Sequence, residues 1–174
     1  MTGDDRRWSG TARPAAVEHI RALIAATLAE EPDDAATAPA TQALGAERTA
    51  LVVSAAFAYA VMQRFRDGTP IEVVRDWVRA ARAELENPDE MPHLLVEGLI
   101  RSILGEDDLA RGVPMDRRLA IEAWLIFQLV TEVHPTAVGQ NRFLTDVTRF
   151  AQDWLNEADQ RGSWLAAQRR DPFA

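Results

Sequence analysis

The chain has 174 residues, no cysteine, and 19 basic against 27 acidic side chains, for a formal net charge of −8. That length leaves room for a real core in one domain, and an apolar content of 47% argues against wholesale disorder. The missing cysteine excludes disulfide frameworks and thiolate metal sites, while the negative charge disfavours nucleic acid and anionic membrane as partners.

Every basic residue is arginine. A Gly-x-x-x-x-Gly-Lys phosphate loop is therefore impossible, and no Gly-x-Gly-x-x-Gly occurs. Residues 1–12 read as an N-terminal tail in which Trp8 can anchor against the body. The amino end, MTGDDRRW, lacks the basic-then-apolar pattern of a secretion signal. No apolar run approaches the ~20 residues of a membrane span. A cytoplasmic protein without a membrane partner is expected.

The remainder, 13–174, is expected to form a single all-α, bundle-like domain of about six helices, because no segment alternates with the period of a strand. Pro14 opens a first helix running to about Glu30, with Val17, Ile20, Ile24 and Leu28 on one side. The Ala/Pro/Asp-rich stretch near 31–43 reads as a long surface loop. A second helix, from about Leu44 to Arg66, carries fourteen consecutive uncharged residues, TALVVSAAFAYAVM. Its small side chains, Ser54, Ala55, Ala56, Ala58 and Ala60, let another helix approach closely, and 114–133 is the expected neighbour.

Gly68 suits the left-handed cap that ends this helix. Thr69, Pro70 and Glu72 then form a potential capping box for a third helix reaching Glu86. Its stripe is Ile71, Val74, Val78, Ala81 and Leu85, with Trp77 beside it. A fourth helix covers about 92–104 and buries Leu95, Val96, Leu99, Ile100 and Ile103, with Gly105 closing it. An acidic connection leads to the most apolar part of the chain, the central helix near 114–133. The last long helix, about 140–161, turns Phe143, Val147, Phe150 and Trp154 inward. Gly162 interrupts it, and SWLAAQRR can form a short final helix docked by Trp164 and Leu165.

The 114–133 segment carries bulky apolar groups in nearly every direction: Leu119, Trp124, Leu125, Ile126, Phe127, Leu129, Val130 and Val133. Arg118, Glu122, Leu125, Leu129 and Glu132 fall on one ridge, charged only at its ends, which makes it the natural solvent-facing side. A helix apolar all round is either central in a bundle or covered by another subunit. Leu125 and Leu129 are therefore candidate contact residues for a protein partner or a second copy.

Chemistry-bearing patterns are sparse. Glu90 and His93 have Glu-x-x-His spacing, half of a ferritin-like dimetal site, and Glu97 lies one turn on. No second such motif exists, and Glu97 is also spaced to pair with Arg101. Glu122 likewise has Arg118 one turn earlier. Glu106-Asp107-Asp108 resembles half of an acidic magnesium site. His19, His93 and His134 fall in three separate elements, so no catalytic set and no cofactor is expected. Residues 63–86 resemble a helix-turn-helix with Gly68 at the turn and Arg75, Arg79 and Arg82 on one ridge, although Asp76 and Glu72 dilute it. The reading that follows is a non-enzymatic helical protein acting through protein–protein interaction, including self-association. The alternatives are a DNA-binding regulator using 63–86 and a carboxylate-dependent metal enzyme.

Overall fold

The structure is a computed structural model that describes residues 14–29, 34–106 and 111–161, and their regular structure is helical throughout. The elements are α1 (Pro14–Thr27), α2 (Asp34–Leu44), α3 (Ala46–Arg64), α4 (Ile71–Ala83), a single 3-10 turn (Pro88–Glu90), α5 (His93–Ile103), α6 (Met115–Val133) and α7 (Ala137–Arg161). The all-α fold is as expected. The expectations for Trp8, for Asp107 and Asp108, and for Trp164 and Leu165 lie outside the described residues.

The apolar helix α6 is central, and α3 shares the centre with it. Every residue of α3 from Ala50 to Ala58 is buried, so this helix has no solvent side over that length. It packs most extensively against α6 and α7 and also meets α1, α2 and α5. Alanine and serine make this possible, because short side chains let helix axes approach from several directions at once. Polar pairs then fix the directions. Ser54 with Glu122 and Arg64 with Glu132 set α6 parallel to α3. Arg48 with Asp159 sets α7 antiparallel. On the far side, Arg75 reaches Glu97 and Arg82 reaches the Met91 carbonyl, which makes α4 and α5 an antiparallel pair.

The segment 34–44 is helix α2 rather than the surface loop its composition suggests. Pro39 lies inside it and removes one ladder donor. Alanine, the best helix former, occupies five of its eleven positions, and Ala40 is buried where α2 packs on α1 and α3. Packing thus outweighs the proline. Gly45, at φ 78°, then turns the chain so sharply that α2 and α3 bend by 111°. A side chain there would meet left-handed strain. Among the described residues no single helix is long and apolar enough to cross a membrane.

Gly68 adopts φ 77°, as the turn requires, but the capping box does not form. Thr69 instead closes the preceding turn: its hydroxyl donates to the Arg66 carbonyl at 2.7 Å and accepts from the Arg66 N–H at 3.1 Å. The hydroxyl can serve only one side of Pro70, and the glycine turn presents its partners first.

The ridge assigned to solvent on α6 points inward over Glu122, Leu125 and Leu129, with Glu132 left exposed at its end. Leu125 and Leu129 are both 0% exposed, Glu122 is 0% exposed, and Glu132 is engaged by Arg64 and by the Trp77 indole. Charge misled here, because α3 supplies Ser54 and Arg64 as partners for the two carboxylates. The outward arc carries Arg117, Ala120, Ala123, Trp124, Phe127, Gln128 and Thr131. Arg117, Ala120 and Thr131 are exposed and the other four are half-buried.

Candidate functional site

Of the three proposed metal ligands, His93 and Glu97 come together and Glu90 stays apart. Glu90 sits in the 3-10 turn before α5, where it accepts from the Asn87 amide at 2.9 Å. Proline at 88 and 92 brackets that turn and keeps Glu90 off the helical face that holds His93 and Glu97. Glu97 is buried; Arg101 at 3.1 Å and Arg75 at 3.4 Å donate to it, and His93 Nε2 lies 3.3 Å from it. Such a carboxylate holds α4 on α5. Among the described residues no group of three or more histidine or carboxylate side chains is placed to hold a metal ion. Glu106 binds the Arg101 guanidinium, and those hydrogen bonds hold its carboxyl below the ordinary glutamate value.

The three arginines of α4 do not form a free basic ridge. Arg75 faces the buried Glu97, and Arg79 pairs with Asp76 at 2.8 Å. Arg82 is half-buried and donates to the carbonyls of Met91 and Pro88, the latter at 2.7 Å. Its guanidinium ties down the connection between α4 and α5. Sequence spacing placed these side chains on one face correctly. It could not show that α5 folds back to meet two of them.

Glu122 is the other buried carboxylate. It accepts from the Ser54 hydroxyl at 2.8 Å and from Arg118 Nε at 2.8 Å, so an Arg–Glu–Ser group joins α6 to α3 inside the core. A fully enclosed, doubly bonded carboxylate is an architectural group. Its oxygens are committed to donors on its own chain.

Two aromatic surfaces remain among the described residues. One is a row of rings along α7 and the end of α3. His134, Phe143, Tyr59, Phe150 and Trp154 follow one another at centroid separations of 5.7, 5.6, 5.2 and 5.6 Å. Phe143 is buried and the others are half-buried. Burial pushes the Tyr59 phenol above its ordinary value; Asp146 raises it further, and Arg142 and Arg149 oppose. The neutral phenol is thus favoured in the folded chain, and stability should fall as pH rises beyond the ordinary phenol value. Tyr59 is the single tyrosine, so tyrosinate absorbance reports it alone. The folded protein should titrate at higher pH than the chain in denaturant; coincident curves would refute the effect.

The other surface is the outward arc of α6. Trp124 and Phe127 stand on it, with Ala120 and Ala123 between and beside them and no charge on that arc between Arg117 and Thr131. Trp124 packs partly on the core, and its indole N–H is enclosed without a hydrogen-bond partner. That is an unfavourable setting for a ring that ordinarily finds one. Sequence reading identified the excess of apolar groups on this helix but assigned the wrong side to solvent. The missed signal was Ser54, a hydroxyl in an otherwise apolar run, able to receive a carboxylate.

No protein-family model matches this chain, and neither a curated protein nor a solved structure resembles it significantly.

Proposed function

We propose that this is a non-enzymatic helical protein that acts by binding another protein, and that the outward arc of α6 is the contact. The observation that carries this reading is the pair Trp124 and Phe127, half-buried on an arc that between Arg117 and Thr131 otherwise offers small or uncharged side chains. Aromatic anchors surrounded by small neutral residues match the composition of binding hot spots, where charge is depleted and rings fill complementary pockets. The arrangement of the carboxylates supports the same reading. Both buried carboxylates are committed within the fold: Glu97 to Arg101 on its own helix and Arg75 on α4, and Glu122 to Arg118 on its own helix and Ser54 on α3.

A photo-crosslinking residue placed at 120, in the cell that makes the protein, tests it. Ala120 is exposed, so the replacement leaves the core untouched. Position 80, exposed on α4, serves as the control. A discrete adduct is expected from 120 and not from 80, and its purified partner should bind the wild-type chain but not Ala120→Arg. Equal or absent adducts at the two positions would remove the reading.

A further inference from the structure

Resting on that reading, we infer that the partner on the outward arc of α6 is a second copy of this chain, packed antiparallel about a two-fold axis near residues 124–127.

The arc is self-complementary in that direction. Helical residues repeat every 3.6 positions, so Arg117, Ala120, Trp124, Phe127 and Thr131 follow one another along one side. With the axis between Trp124 and Phe127, each tryptophan lies beside the partner's phenylalanine. Ala120, small and exposed, then lies opposite Thr131 of the other copy, which gives the rings room between the helices. Antiparallel packing also sets Arg117 near the carbonyl end of the partner helix, where a cation is favoured, and opposes the two helix dipoles. A parallel pair would align Arg117 with Arg117 and dipole with dipole.

Charge selects this occupant over a basic one. A partner recognised through the net charge of −8 would meet acidic side chains. On this arc the only acid is Asp116, at its first turn, and an arginine stands beside it. For a chain that repels its own copies at long range, an uncharged contact is the surface on which two copies can meet without opposing like charges. That repulsion is screened within about 8 Å at physiological ionic strength, so added salt should strengthen the association. The contact is about one helix wide, at the small end of specific interfaces, so a reversible, concentration-dependent dimer is expected.

Sedimentation of the full chain from micromolar to about millimolar concentration decides the matter. The weight-average mass should double across that range, at lower concentration when salt is raised. Ala120→Arg should stay monomeric with an unchanged helical melt, and Ala80→Arg should dimerise like the wild type. The register has its own readout, because the chain contains no cysteine. A mixture of the Ala120→Cys and Thr131→Cys single variants should form the mixed disulfide. Ala120→Cys alone should not, since the two copies of that residue lie roughly 16 Å apart along the axes, beyond disulfide reach. A monomer at every concentration would overturn self-pairing and leave the position-120 crosslinking result to decide the broader reading. Self-crosslinking of Ala120→Cys, or an Ala120→Arg variant that still dimerises, would overturn the proposed geometry.

Discussion

Leu125→Arg is expected to abolish the cooperative fold. Leu125 is 0% exposed and sits on the inward ridge of α6 against α3. Truncating a buried leucine to alanine costs about 2–5 kcal/mol from lost transfer energy and the cavity left behind. Arginine adds a guanidinium with no partner waiting, which costs several kcal/mol more. The sum approaches the entire stability of an ordinary domain, about 5–15 kcal/mol. Far-ultraviolet circular dichroism should show lost helix and no cooperative melt. Leu125→Ala should remain folded with a denaturation midpoint well below wild type and an unchanged slope. A folded Leu125→Arg protein altered only in its association would put this leucine back on a surface and contradict the inward ridge. The contrast with Ala120→Arg matters here. The same charge, introduced five residues earlier on the exposed arc, should leave the melt intact.

Glu122→Ala should cost about 3–5 kcal/mol, the usual penalty for breaking one side of a buried, hydrogen-bonded charge pair. The carboxylate is fully enclosed and accepts from both Ser54 and Arg118. Its loss strands a buried hydroxyl and leaves a cavity between α3 and α6. For a chain of this length the thermal midpoint should drop on the order of 10 °C. The double variant Ser54→Ala with Glu122→Leu removes the stranded hydroxyl and refills the space. It should recover much of the loss, since Arg118 keeps 17% of its side chain accessible and can turn toward water. A Glu122→Ala protein as stable as the wild type would show that the carboxylate contributes nothing to joining the helices.

Much of the fold was legible in the sequence, for identifiable reasons. The turn at Gly68 was expected from glycine's access to positive φ, and the end of α5 from Gly105; both glycines adopt positive φ. The pairing of the small-residue helix with the apolar one was expected from side-chain size and is observed. Helix α2 was not legible, because an internal proline and a polar start outweigh alanine content until Ala40 has a surface to bury against. Among the site residues, sequence put Arg75, Arg79 and Arg82 on one face of α4, and that is where they are. What each one binds came from the return of α5.

The order and approximate limits of the helices other than α2, and the presence of more apolar surface on α6 than one neighbour needs, were determined by the sequence itself. They depend on local quantities: the 3.6-residue period, proline and glycine geometry, and side-chain size. Which side of α6 faces water was decided only by tertiary structure. A carboxylate is costly inside a protein unless a donor meets it, and the sequence of α6 carries no record of the donors on α3. Once Ser54 receives Glu122, the stretch of that ridge from Glu122 to Leu129 becomes the buried side, while Glu132 stays exposed and pairs with Arg64 at the rim. Trp124 and Phe127 are then left on the outer side.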